Sequence, residues 1–310
     1  MMKVAVFMGG SSSEHKVSLS SGKAVAKALE TAGYDVSVFD VEWEGSNSLF
    51  SAVDECKATG TEVIFLALHG GLGENGGVQG VLDAAGLTYT GSGITASAVA
   101  MDKDITKQLF VQNGIPTAAW MMLSSENFNE DTIIKTCGLP LVIKPSDQGS
   151  TIGLTVVENA EMLADAIKLA AQYSPTIMAE AYIPGCELTV PVIGSEAFPV
   201  IEIKPSHAIY DYECKYKSGM TEYLVPAPIP KVLENEVKTL ALKVFSLLGL
   251  RDFARVDFRL DAEGRPLCFE ANTLPGMTGT SLVPKSAAAA GIEFTDLVSR
   301  IITLAHDRRC

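Results

Sequence analysis

Two stretches late in the chain place carboxylates and an amide at strand spacing: Arg255-Val-Asp257-Phe-Arg-Leu, and Phe269-Glu270-Ala-Asn272-Thr-Leu-Pro275-Gly276. Side chains two apart on a strand share a face, so Arg255 travels with Asp257, and Glu270 with Asn272. The intervening Asp261-Ala-Glu-Gly264-Arg carries turn chemistry, and strands Phe253 to Leu260 and Pro266 to Ala271 are expected to fold back as a hairpin. With matching faces, three oxygen ligands and a guanidinium meet in one place. Hard oxygen donors in that number suit Mg²⁺ held jointly with substrate phosphates. The competing reading is a hairpin with a solvated polar face; the Asn-x-x-Pro-Gly exit and the loops below weigh against it.

Lys144-Pro-Ser-Asp-Gln-Gly149-Ser150-Thr-Ile-Gly153 is a Gly- and hydroxyl-rich loop between two strands, able to cradle phosphate oxygens with backbone N–H groups or simply to turn. It is neither a G-x-x-x-x-G-K-[ST] loop nor a Rossmann fingerprint. Lys144 ends the strand that feeds it; Lys103 and Lys215 lie elsewhere, and each alone reads as a solvated charge. His69-Gly-Gly-Leu-Gly73-Glu74-Asn-Gly76 follows a strand and, with so many glycines, is expected to stay irregular and to expose N–H donors to a carboxylate or phosphate. His69 suits a base, an orienting donor or a structural group, the last two being favoured together. Glu14 suits a substrate ammonium or, more simply, a favourable acid at a helix entry. Glu180 and Glu187 flank the Ile183-Pro184-Gly185 break, where a hinge with a ligand edge or plain strand-end charge would both fit.

These residues need a scaffold. With 310 residues, 47% hydrophobic and 20% charged, the chain is long enough for two or three compact units. A net charge of −13 argues against nucleic acid or an anionic membrane as the main partner. The six cysteines form no C-x-x-C pair and read as scattered reduced thiols. There is neither a signal-peptide pattern nor an apolar run of spanning length, so the protein is expected in the cytoplasm.

Residues 1–95 alternate strand and helix: Val4–Met8, a helix from Ser18 to Ala32, Tyr34–Asp40, Glu62–Leu68 and a helix over Gly77–Ala85. This predicts an α/β unit with a parallel sheet, helices on both faces, and functional loops at the carboxyl ends of strands. Residues 96–184 predict a second unit, with helices near 102–113, 127–137 and 159–172 and strands Ala118–Leu123, Leu139–Lys144 and Ile177–Ala181. Residues 185–310 predict a third: strands Glu187–Ile193 and Phe198–Lys204, a polar aromatic stretch over 206–226 read as a lid, a helix near 231–248, the metal hairpin, and a last helix near 294–306.

The ordered motifs resemble the ATP-grasp superfamily and, within it, the D-alanine–D-alanine ligase family, over essentially the full length. They are His69-Gly-x-x-Gly-Glu-Asn-Gly76, Lys144-Pro-Ser-x-x-Gly-Ser150, Tyr210-Asp-Tyr-Glu-x-Lys215-Tyr216, Arg255-x-Asp257, Glu270-x-Asn272-x-x-Pro-Gly276 and Thr280-Ser-Leu-Val-Pro284. The resemblance implies a Rossmann-like N-terminal domain followed by a two-subdomain ATP-grasp fold. It implies that Lys144, Lys215 and Lys103 contact ATP phosphates. Glu180 and Glu187 would sit by adenine and ribose, with the backbone near Tyr182 and Ile183 reading the adenine edge. Asp257, Glu270 and Asn272 would hold two Mg²⁺, for which Mn²⁺ is a chemical substitute. Glu14 would hold the ammonium of the first D-alanine, with Ser150 and Tyr216 completing a hydrogen-bonded link that closes the lid, and His69 near that substrate's carboxylate. Arg255 and the Gly276 N–H would stabilise an oxyanion, and Ser281 with the Leu282 N–H would bind the second D-alanine's carboxylate. A homodimer is expected from similar ligases.

Three positions depart from the family pattern: Asp252 stands where Gly or Ala is usual, and Arg259 and Cys268 where aliphatic residues are usual. The rival readings are a sister ligase using D-lactate or D-serine, another ATP-grasp carboxylate–amine ligase, and a nucleotide-binding module without catalysis. Tyr216 speaks against a depsipeptide product, and retention of every metal ligand and oxyanion donor against a mere binder.

Overall fold

The computed structural model describes residues 1–43, 48–147, 152–206 and 220–308. Of the expected site residues, Ser150, Lys215 and Tyr216 lie outside them, as does most of the expected lid.

The chain opens with β1 (Lys3–Gly9), α1 (His15–Thr31), β2 (Asp35–Val41), α2 (Leu49–Thr59), β3 (Val63–Leu66), α3 (Gly71–Glu74) and α4 (Gly77–Ala85). The three strands form the parallel sheet that the alternation predicts, in the order β2-β1-β3. Helix α1 starts earlier than expected, because the Glu14 carbonyl already accepts from the Val17 and Ser18 N–H groups. Helix α2 went unread, although Ser48 caps the Ser51 N–H at 3.2 Å and Leu49, Ala52, Val53 and Cys56 are buried at helical spacing. The segment after His69 is not wholly irregular. Gly71–Glu74 makes one helical turn, closed by the Asn75 N–H on the Gly71 carbonyl.

Helices α5 (Ile94–Met101) and α6 (Lys103–Gln112) lead into a four-stranded antiparallel sheet, and the expected division after residue 95 falls inside α5. Strands β4 (Trp120–Leu123), β5 (Leu141–Pro145), β6 (Thr155–Val157) and β7 (Ile177–Ala181) run in the order β4-β7-β5-β6, with α7 (Glu130–Cys137) and α8 (Leu163–Ala171). One sheet face buries Leu123, Leu141, Ile143 and Ala179 against Ile133 and Ile167 of the helices. Residues opposite one another across strands share a face, so Trp120, Val142 and Glu180, with Lys144 and Met178, lie on the other.

The third layer holds β8 (Glu187–Ile193), β9 (Glu196–Ala197), β10 (Ile201–Pro205), β11 (Thr221–Leu224), α9 (Lys231–Leu247), β12 (Phe253–Leu260), β13 (Pro266–Asn272), α10 (Leu282–Ala289) and α11 (Phe294–Asp307). Its sheet has the order β11-β10-β8-β12-β13, with β9 on β8. Helix α9 covers one face, Val237, Ala241 and Val244 meeting Val190, Val192, Val256 and Phe258. Helix α10 was not anticipated, and it carries Pro284 at its third position. Pro is tolerated there because the first helical turn has no N–H partner to lose. Helix α11, expected within the third unit, buries Leu297, Val298, Ile301 and Ile302 in the core of the N-terminal parallel sheet. Its periodicity fixes an apolar face but not which sheet that face meets.

Candidate active site

The hairpin β12–β13 has the predicted register: Arg255 lies opposite Asn272 and Asp257 opposite Glu270. All four therefore share the face that α9 does not cover. A bulge after Asp257 then pairs Phe258 with Cys268. Unbroken alternation would put Cys268 beside Glu270; the extra residue turns it into the apolar core, where it is fully buried. Cys268 thus packs as a small hydrophobe and leaves the ligand face intact.

Asp257 is buried and held twice. Arg255 grips it through Nε to Oδ1 at 2.9 Å and Nη2 to Oδ2 at 2.8 Å, and the Thr189 hydroxyl donates to Oδ1. The guanidinium therefore rests on the carboxylate beside it. Asn272 Oδ1 is buried and finds no hydrogen-bond partner among the described residues. A buried acceptor left so is costly unless a ligand completes it. Two carboxylates and an amide oxygen fit Mg²⁺, which takes few protein ligands and shares the rest with substrate phosphates. Among the described residues no group of three His, Cys, Asp or Glu is placed to hold a metal ion.

On the four-stranded sheet, Glu180 sits between two ammonium groups: Lys144 Nζ is 2.5 Å from Oε2 and Lys107 Nζ 2.5 Å from Oε1. Burial pushes the Glu180 carboxyl up, but the two lysines outweigh it and hold it at about 2. Lys107 escaped the sequence reading. It is fully buried, and its Nζ also meets Thr117 Oγ1 at 2.6 Å and the Ala118 carbonyl at 3.1 Å. Burial lowers its pKa, which Glu180 opposes. Lys103 is buried as the first residue of α6, behind the Asp102 cap. The Tyr182 N–H donates to the Pro140 carbonyl at 3.2 Å. Arg259 spans the break that follows. Its Nη2 donates to the Gly185 carbonyl at 3.1 Å, Nη1 lies 3.7 Å from Glu187, and the guanidinium stands 5.3 Å from the Tyr182 ring centroid. Gly185 is required here, since a Cβ would fall 2.1 Å from the Leu260 carbonyl oxygen.

At the carboxyl ends of β1 and β3, Glu14, His69 and Gly70 come together. Gly70 has φ +65°, and a Cβ on it would lie 3.0 Å from Glu14 Oε2. His69 is buried, which lowers its pKa and keeps the ring neutral at pH 7. Its Nε2 lies 3.2 Å from Ser21 Oγ, and that hydroxyl accepts from the Met277 N–H at 3.2 Å. The histidine thus links α1 to the hairpin exit through Ser21. Glu74 does the same for the glycine loop, accepting from Gly70 N at 3.0 Å and Leu274 N at 3.4 Å. Burial, with Glu14 and Glu270 nearby, raises its carboxyl to about 7. A cavity of about 270 Å³ adjoins this corner, lined by Gly10, Ser12, Trp43, Leu68, His69 and Gly70. Ser281 stands at the N-terminal end of α10 with no side-chain cap bond to the helix; its Oγ instead accepts from Thr278 N at 3.0 Å, and a Cβ on Gly276 would stand 2.9 Å from that oxygen. Leu282 is the first residue of α10, and a first-turn N–H is available to a carboxylate. The described candidates thus fall into groups: Glu14 and His69 at one corner, Arg255, Asp257, Glu270 and Asn272 on one face of the hairpin, and Lys144 with Glu180 on the four-stranded sheet; Lys107 and Glu74 are contacts that sequence reading missed.

Family models match along the chain: D-ala D-ala ligase N-terminus over residues 3–55, and D-ala D-ala ligase C-terminus over 109–303. A D-alanine–D-alanine ligase of Pelotomaculum thermopropionicum is 42% identical over 99% of this chain and 97% of its own. One of Moorella thermoacetica is 43% identical over 98% and 99%. The crystal structure of D-alanine–D-alanine ligase from Bacillus anthracis superposes with a TM-score of 0.86 at 34% identity, covering 100% of this chain and 99% of that one. Its complex with ATP gives 0.85 at 33% identity, covering 99% and 98%.

Proposed function

We propose a division of labour for the cleft of this chain, which belongs to the D-alanine–D-alanine ligase family. The chain joins two D-alanines at the expense of ATP, making the dipeptide for peptidoglycan synthesis. In our reading ATP first phosphorylates the carboxylate of one D-alanine. The amine of the second, having lost a proton, attacks that acyl phosphate, and phosphate leaves. Phosphoryl transfer asks mainly for positioning and charge neutralisation. Lys144, Lys103 and Lys215 take the ATP phosphates. Glu180, Glu187 and the backbone at 182–183 take adenine and ribose. Asp257, Glu270 and Asn272 hold Mg²⁺, which when bound neutralises phosphate charge.

Glu14 receives the first ammonium, Arg255 and the Gly276 N–H the oxyanion, and Ser281 with the Leu282 N–H the second carboxylate. Ser150 and Tyr216 complete the link to Glu14. Donors of the oxyanion kind are worth roughly 3–4 kcal/mol each in rate. The observation that carries the assignment is the hairpin register, which sets Arg255, Asp257, Glu270 and Asn272 on one face. The free thiols among the described residues support a cytoplasmic location. Exposed Val38 and Phe50 on the first unit support it as the contact of a homodimer; among the described residues no helix is long and apolar enough to cross a membrane.

The test is ADP formation from Mg²⁺-ATP with D-alanine, the product identified by mass, with L-alanine as control and D-lactate or D-serine added in turn. D-alanine-dependent turnover to the dipeptide is expected. A mixed product only, or no ADP formation, overturns this reading.

A further inference from the structure

We infer that Lys107 is a positioning residue for nucleotide selection: it fixes the Glu180 carboxylate as a pure hydrogen-bond acceptor aimed at the 6-amino group of the purine, an inference that rests on the assignment of Glu180 to the adenine base. Lys144 alone would satisfy the charge of Glu180, so the second ammonium needs a reason. Lys107 has no accessible surface and therefore cannot touch ATP. Its contacts are Glu180 Oε1, Thr117 Oγ1 and the Ala118 carbonyl, with the Trp120 ring 5.2 Å away. Those partners lie just before and on β4, which pairs with β7 at Trp120–Glu180. The carboxylate is thus pinned from the helix side by α6 and from the sheet side by β5.

A carboxylate clamped between two lysines stays ionised at every working pH, and burial in a dry site sharpens its demand for a donor. An ionised carboxylate has no proton to give. It welcomes the exocyclic amine of adenine and repels the 6-oxo group of guanine or hypoxanthine. Without Lys107, Glu180 loses one anchor and is held by Lys144 alone.

The experiment compares ATP with purine riboside triphosphate, which lacks the 6-amino group, in wild type, Lys107→Met and Glu180→Met, measuring KM and kcat for each. A hydrogen bond to a charged group is worth roughly 1.5–3 kcal/mol, so wild type should prefer ATP by about 10- to 100-fold in KM. Lys107→Met should raise the ATP KM about tenfold, leave the analogue's KM within about twofold, and leave kcat little changed. The preference would then collapse without loss of chemistry. A rise in both KM values by one factor, a fall in kcat with both nucleotides, or no change overturns the proposal, since a structural role cannot single out the amine. Should wild type fail to prefer ATP, or Glu180→Met keep the preference, the adenine assignment itself falls, and Lys107 with it. If Lys107→Met does not fold, Thr117→Val is read instead. It removes an anchor of the ammonium but keeps the charge, and should give the same selective pattern at smaller size; equal effects on both nucleotides would again overturn the idea.

Discussion

Asp257 and Glu270 face each other across the hairpin, and neither has a neighbouring carboxylate on the same strand to replace it. Asp257→Asn or Glu270→Gln should therefore lower kcat by roughly 10²–10³-fold while ATP still binds, as read by steady-state kinetics and calorimetric titration. Retention of full activity in both would remove the hairpin from the metal assignment. At Gly70 the backbone is left-handed and a side chain would press on Glu14 Oε2. Gly70→Ala should cost about 1–3 kcal/mol of stability and raise the KM for the first D-alanine more than the KM for ATP. Equal effects on both KM values would disconnect Glu14 from the amino acid.

Among the elements, the break between β7 and β8 is the most constrained. Gly185 packs directly under the Leu260 carbonyl, and Arg259 closes the same corner onto Glu187. Gly185→Ala cannot be accommodated by rotating a side chain, because the opposing atom is backbone. A thermal-melt loss of several degrees is expected, with ATP binding weakened more than D-alanine binding. Arg259, a departure from the family pattern, has a clear place: it is the counter-charge of Glu187 and lies over Tyr182. Nothing in the sequence told that story. A strand residue on the ligand face reads as polar, but its partner is 72 residues away in the chain, directly opposite on the neighbouring strand β8.

Across the whole molecule, the N-terminal sheet and the ligand hairpin are joined at Asp252. It holds the Gly91 N–H at 2.8 Å and Arg308 at the end of α11, whose Nη2 reaches the Tyr89 carbonyl at 2.7 Å. Asp252 has φ +59°, the left-handed backbone for which the family's usual Gly is suited. Asp252→Gly should nonetheless destabilise, because it deletes a buried acceptor shared by two donors. Burial raises the Asp252 carboxyl to about 6 despite Arg308. A raised carboxyl means that the folded state holds its proton more tightly than the unfolded chain, so stability is greatest at low pH and falls as pH climbs from about 4 to about 6. Glu74, raised to about 7, extends the same fall toward neutrality. Glu180 has the opposite sign: held at about 2, it stabilises above its unfolded value and is lost as pH drops through the range below 4. Melting temperature should thus peak in mildly acid solution. Asp252→Asn, which keeps an acceptor without the titration, should flatten the decline between about pH 4 and 6; an unchanged slope would assign that decline elsewhere.

The sequence by itself determined whatever depends on backbone period and local turns. The alternation in Arg255–Asp257 and Glu270–Asn272 and the turn at Gly264 set four side chains on one face, and the βαβ rhythm set a parallel sheet. It also hid helices that a cap or an apolar spacing betrayed, such as α2 behind Ser48. Only the tertiary structure decided which faces meet. Lys107 lies 73 residues from Glu180, α11 crosses back onto the first sheet, and a single bulge turns Cys268 away from Glu270. Period is a property of the backbone and can be read one strand at a time. Burial, pairing and the titration of Glu74, Asp252 and Glu180 arise when separate layers stack and expel water between them, and no local pattern encodes that.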